Sequence, residues 1–182
     1  AINMTGFGSV VKEINPKDDY LLFINPAPWN KVYKREKIED LKFLPFRGFN
    51  DTLFLASCYT RIKKIAFIPD VLYHYYLRYD SQIHSINEQD VNNLKKYLLE
   101  VKELYIQSNR YEEMKYMLDT FAFLHLGTSV MYRVSYDKTV NMKKILKDTI
   151  KYLDENFSNW RKSPFLKLKY TLKRGFKHTA LW

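Results

Sequence analysis

The chain has 182 residues, a formal net charge of +10, and a composition that is 46% hydrophobic and 16% aromatic. That is long enough for a domain with a real core and too apolar for an intrinsically disordered chain. Five glycines argue against a Gly-rich phosphate loop and against an all-β fold full of tight turns, and a single cysteine, Cys58, excludes an internal disulfide. The basic charge favours anionic partners without choosing among nucleic acid, anionic lipid and a phosphorylated substrate.

No segment reaches the ~18 to 20 uninterrupted apolar residues of a membrane span. The first residues, Ala1-Ile2-Asn3-Met4-Thr5, lack the basic-then-apolar pattern of a signal peptide. The expectation is a cytoplasmic protein. Nothing at that start resembles an initiation site, so the sequence reads as a piece of a longer chain.

In chain order, Gly8 to Ile14 and Tyr20 to Ile24 read as short strands or irregular segments. Asp18-Asp19, after Asn15-Pro16-Lys17, reads as a solvated turn rather than a cation site. Asn30 to Asp40 has helical composition, and Leu41 to Phe43 could be a short strand. Asn50 or Asp51 is expected to cap a helix running to about Ile62, with Phe54, Leu55, Cys58 and Tyr59 as its apolar face. Cys58 there reads as a small buried hydrophobe. Lys64 to Ile68 and Val71 to Arg78 flank Pro69-Asp70 and read as strands.

Beyond residue 86 the prolines nearly vanish and helical periodicity takes over. Asn87 with Asp90 opens a helix striped by Val91, Leu94, Leu98, Val101 and Tyr105. Ser108-Asn109 ends it. Met114, Met117, Phe121, Leu124 and Thr128 predict a second helix to about Tyr132, with His125 as a structural histidine. Met142, Ile145, Leu146, Ile150 and Leu153 predict a third. The organisation expected is 1–86 as an α+β unit and 87–182 as a helical region. The last stretch, 161–182, carries seven Lys and Arg residues and no acidic one. It reads either as a surface for anionic membrane or as a basic segment packed on the helices.

Three segments carry candidate chemistry. In Pro28-Trp29-Asn30-Lys31, Trp29 reads as a core plug or as a flat platform for a sugar ring, with Asn30 and Lys31 able to bond hydroxyls or phosphate oxygens. In Asn50-Asp51, Asp51 reads as a helix cap or as a general base. In Arg78-Tyr79-Asp80-Ser81, Arg78 and Ser81 suit a diphosphate or an ordinary surface loop, and His84 could reach a metal.

Taken in order, Trp29-Asn30-Lys31-x-Tyr33-Lys34-Arg35, Asn50-Asp51, Lys63-Lys64-Ile65-x-x-Ile68-Pro69 and Leu72-Tyr73-x-Tyr75-x-x-Arg78-x-x-Ser81 resemble the second half of bacterial family 2 glycosyltransferases of the GT-A fold. The likeness runs from about Ala27 to Ile86. It continues weakly into Phe157-Ser158-Asn159-Trp160-Arg161-Lys162. The resemblance implies an α+β fold, the second half of a GT-A domain followed by a helical bundle. It implies inverting transfer from a nucleoside-diphosphate sugar to a glycan or lipid-linked acceptor in capsule, exopolysaccharide or cell-wall synthesis. Asp51 would be the base. Trp29, Asn30, Lys31 and Asn50 would line the sugar region, Arg78 and Ser81 would meet the diphosphate, and His84 would complete a site for Mn²⁺ or Mg²⁺.

Two departures shape the expectations. The nucleotide-gripping half of the family, with its Asp-x-Asp metal motif, has no counterpart here, so this chain by itself is expected to be catalytically incomplete. The acidic pair usually reads Glu-Asp, and here Asn50 stands in the Glu position. An exposed sheet edge is expected to favour self-association. A basic helical domain binding nucleic acid is the alternative reading.

Overall fold

The computed structural model describes residues 10–13, 19–44, 48–68, 70, 72–74, 76, 86–136 and 139–170. Arg78, Ser81 and His84 lie outside them, as do Asp18 and the tail from 171 onward. The described chain is mostly helical. Its strands are β1 (Val10–Glu13) and β2 (Lys64–Phe67), paired antiparallel with Val10 opposite Phe67 and Glu13 opposite Lys64. Neither strand has a second strand partner among the described residues. β2 therefore pairs with the amino-terminal segment. Residues 72–74 and 76, expected as part of the next strand, run without regular structure.

Tyr20 to Ile24 is also not a strand. Tyr20–Phe23 forms a single helical turn, α1, begun where the Leu22 amide donates to the Asp19 carbonyl at 2.9 Å. Asp19 itself is buried and takes the Tyr170 hydroxyl as a donor, which ties residues 151 positions apart. The solvated-turn expectation fails there because the partner comes from the far end of the chain. Asn30 to Asp40 is no helix either. It has no apolar stripe to bury, and it folds into two short 3₁₀ turns, Pro28–Asn30 and Arg35–Lys37, separated by extended backbone.

Helix α2 spans Asn50–Cys58 and is buried along nearly all of its length. It packs on α3 (Glu88–Gln107), whose buried stripe is Val91, Leu94, Leu98, Val101 and Tyr105, as the spacing predicts. Asn87 caps α3 through a reciprocal box. The Asp90 amide donates to Asn87 Oδ1 at 2.9 Å, and the Asn87 amide donates to Asp90 Oδ2 at 3.0 Å. The Tyr105 hydroxyl donates to the Ala56 carbonyl at 3.0 Å and fixes α3 to α2. Arg110 donates to the Tyr59 carbonyl at 2.6 Å and pairs with Glu113.

The second long helix is interrupted. It comprises α4 (Tyr111–Phe123), a π turn (Leu124–Ser129) and α5 (Val130–Val134). Gly127 lies in the π turn, where an added Cβ would come within 3.2 Å of the Phe123 ring. Helix α6 (Met142–Asn156) follows, opened by Asn141, whose side chain accepts from the Lys144 amide.

Residues 157–166 wrap back over this layer. The Asn159 amide and side chain both donate to Asp119 Oδ2 at 2.9 Å, and Phe123 stacks on Trp160 at 4.6 Å. Arg161 forms a two-pronged pair with Asp154 at 2.7 and 2.8 Å. The first cation of the basic tail is thus committed within the protein. One hydrophobic core runs from Leu21 and Leu22 through α2 and Ile86 to Leu126, Phe157 and Phe165. No helix among the described residues is long and apolar enough to cross a membrane.

His125 sits in the π turn, buried, with its ring 4.4 Å from Phe121 and 6.0 Å from Phe49. Burial, with the Arg133 cation nearby, pushes its pKa down to about 3. Unfolded, the imidazole titrates near 6.5. The unfolded chain therefore binds an extra proton between those two values, and stability falls as pH drops through 6.5. Urea unfolding at pH 7 and pH 5 tests this. The wild type should lose about 2 kcal/mol more than His125→Gln on acidification. Equal losses would contradict the neutral, buried histidine.

Candidate functional site

Three stretches of chain meet near the start of α2. The first is the Pro-Trp turn. Pro28, with its fixed φ, opens the 3₁₀ turn, and Asn25 Oδ1 accepts from the Ala27 amide at 2.9 Å. Lys31 then folds back over its own loop. Its Nζ donates to the Ala27 carbonyl at 2.8 Å, to Asn30 Oδ1 at 2.6 Å and to the Asn25 carbonyl. An ammonium has three donors, so Lys31 is engaged in holding the loop. Burial pushes its pKa down to about 8, and the Asp51 carboxylate opposes that shift.

This clamp presents Trp29 outward. The indole is 38% exposed and stacks on Tyr73, itself 51% exposed, with ring centres 4.7 Å apart and planes 23° from parallel. The stack brings the Pro-Trp segment and the Leu72-Tyr73 segment together. Behind it, Tyr33 meets Phe54 edge-on at 5.8 Å and Phe43 stacks on Phe54 at 4.4 Å, so the loop rests on the apolar side of α2.

The second stretch is the start of α2. Its cap position is Phe49, in the left-handed region with φ 54°, directly after Gly48 at φ 79°. The expectation that Asn50 or Asp51 would cap the helix is therefore corrected: both lie inside the first turn. Asp51 is half-exposed. Its Oδ1 accepts from the Thr52 amide at 2.8 Å and the Thr52 hydroxyl at 3.4 Å. Its Oδ2 accepts no hydrogen bond from the described residues. Asn50 is half-exposed beside it.

The third stretch was not singled out by the sequence. Arg133 of α5 places its guanidinium carbon 4.5 Å from the centre of the Phe49 ring. Burial lowers its pKa, and Asp51 works against that fall. Asp51 thus lies in the electrostatic reach of two cations, Lys31 and Arg133. Arg133 falls between the buried Val130 and Val134, and an arginine on an otherwise apolar helix edge reads as a solvent-facing residue. Its orientation toward α2 had no local signal.

Cys58 is the small buried residue that the sequence predicts. Cys58 is fully buried, and burial pushes its thiol up to about 11, so it stays protonated at neutral pH. The described residues contain no group of three or more His, Cys, Asp or Glu side chains able to hold a metal ion. The one carboxylate of the site is flanked by cations. His84, the residue expected to reach a metal, lies outside the described residues.

No family model matches the chain, and no solved structure matches it. The chain is similar to a Bacillus subtilis (strain 168) protein named "Putative glycosyltransferase EpsH", with 26% identity over 168 residues, covering 82% of this chain. It spans about half the length of that relative, 48%. The comparison joins the chain to a glycosyltransferase-like relative, at an identity that leaves donor, acceptor and family open.

Proposed function

We propose that this chain is the acceptor-side part of a glycosyltransferase, with Asp51 as the general base. The observation that carries the reading is the Asp51 carboxylate. One oxygen is fixed by the Thr52 amide and the other has no donor among the described residues, at a half-exposed position. A base needs that arrangement: an anchored carboxylate with one oxygen open to a substrate hydroxyl. The similarity over 168 residues to a protein named as a glycosyltransferase supports the same reading.

The chemistry proposed is inverting transfer from a nucleoside-diphosphate sugar to a glycan or lipid-linked hydroxyl. Asp51 Oδ2 takes the proton of the acceptor hydroxyl as that oxygen bonds to the anomeric carbon. The bond from that carbon to the diphosphate breaks, and its electron pair leaves with the diphosphate. Trp29, stacked on Tyr73, offers an apolar face to a pyranose ring. Lys31 holds the loop that presents Trp29. Asn30, exposed beside it, is held through Oδ1 by Lys31 and offers its Nδ2 donors to hydroxyls. Arg78 and Ser81 are proposed to meet the diphosphate, and Asn50 to border the acceptor.

Asp51→Asn keeps the shape and removes the base. In the complete parent protein it should lower sugar transfer by about a hundredfold or more while leaving the unfolding midpoint nearly unchanged. Near-normal turnover would refute the assignment. Trp29→Ala should lower kcat/KM for the acceptor by about tenfold, the equivalent of roughly 1.4 kcal/mol, and Trp29→Phe should recover most of it. Equal activity of Trp29→Ala and wild type would remove Trp29 from the acceptor site.

A further inference from the structure

Arg133 differs from three other described arginines. Arg61 pairs with Asp40, Arg110 with Glu113 and carbonyl oxygens, and Arg161 with Asp154. The guanidinium of Arg133 is half-buried, yet no acceptor among the described residues lies within hydrogen-bond distance of it. Its close neighbours are the Phe49 ring, at 4.5 Å, and Gly48, where a Cβ would lie 3.9 Å from Nη1. An aromatic face attracts a cation but supplies no lone pair for its five N–H donors. Burying a cation without such a partner costs free energy. The same spot holds a second local cost. Phe49, a bulky residue, adopts the left-handed conformation. Backbone outliers of this kind persist where the surroundings hold them, and they gather at binding sites.

We infer that Arg133 binds an oxyanion carried by the acceptor, a phosphate or a carboxylate, beside the carboxylate of Asp51. The inference rests on Asp51 being the base. In an inverting displacement the base stands behind the attacking hydroxyl, and the leaving diphosphate departs on the far side of the anomeric carbon. The guanidinium lies over Phe49, two residues before Asp51, at the end of α2 that carries the base, and so on the acceptor's side. The planar guanidinium fork suits two oxygens of one oxyanion.

The test is binding, read without any turnover. The 182-residue chain is titrated with geranyl diphosphate, with glucuronate and with uridine diphosphate, in the wild type, Arg133→Gln, Arg133→Lys and Asp51→Asn. The wild type should bind geranyl diphosphate or glucuronate weakly, on the order of millimolar. Arg133→Gln should lose about tenfold or more of that affinity at an unchanged unfolding midpoint, and Arg133→Lys should lose less. Loss for geranyl diphosphate assigns a lipid diphosphate, and loss for glucuronate assigns an acidic sugar. Asp51→Asn should bind the same anion as well as the wild type or better, because a neighbouring negative charge is gone. That variant separates the two readings. If transfer in the parent protein survives Asp51→Asn while anion binding still depends on Arg133, the base assignment fails and the anion site stands. Equal binding by Arg133→Gln and wild type, no binding of either acceptor-type anion, or an Arg133 effect confined to uridine diphosphate would overturn the inference.

Discussion

Phe49 is the residue on which the arrangement depends. It is 5% exposed, sits in the left-handed region, and lies between the Arg133 guanidinium and the His125 ring. The left-handed backbone costs on the order of 1 kcal/mol or more. Burying a phenylalanine contributes about 1.5 to 3 kcal/mol, so the packing can hold the strain. Through this one side chain the start of α2 is seated on the π turn and α5. Because the chain turns left-handed at Gly48 and Phe49, Asn50 and Asp51 enter the helix directly and Asp51 stays half-exposed between Lys31 and Arg133. His125 and Gly127 belong to the same joint. The wide π turn sets the histidine ring against Phe49, and the missing Cβ at residue 127 lets the Phe123 ring lie close on its way to stacking with Trp160.

The helical half was legible because its signals are local. The α3 stripe and the Asn87–Asp90 box are written within one turn of their effects. What failed depended on distant partners. Of Val71 to Arg78, a strand by composition, the described residues 72–74 and 76 have no regular structure, and β2 pairs with β1, more than fifty residues earlier. Asp19 reads as a turn residue, but Tyr170 covers it. Asn30 to Asp40 has helix-forming residues and no apolar stripe, so nothing draws it onto the core as a helix. Within the candidate site, Trp29, Asn30, Lys31, Asn50 and Asp51 are singled out by their order in the chain. Their division of labour is not. Lys31 spends its donors on loop carbonyls, and Tyr73 rather than the core meets Trp29. Arg133 could not be found at all, since only the turn of the helix past the π segment aims it at Phe49.

The net charge of +10 looks different once partners are assigned. Most ion pairs lie at the surface, several at the i, i+3 or i, i+4 spacing of one helix, and such pairs contribute little to stability. The electrostatics that matter are concentrated at Asp51, Lys31 and Arg133, where partial burial weakens screening. The basic stretch from Arg161 begins as part of the fold, held by Asp154, Asp119 and the Phe123–Trp160 stack.

The central claim is that the Pro-Trp loop and the start of α2 form one charged site. Nuclear magnetic resonance titration of the Lys31 side chain tests it most directly. The account predicts that burial brings Lys31 down to about 8, and that Asp51→Asn moves it lower still, because the Asp51 carboxylate opposes that fall. A Lys31 that titrates near 10.5 and does not respond to Asp51→Asn would contradict the account.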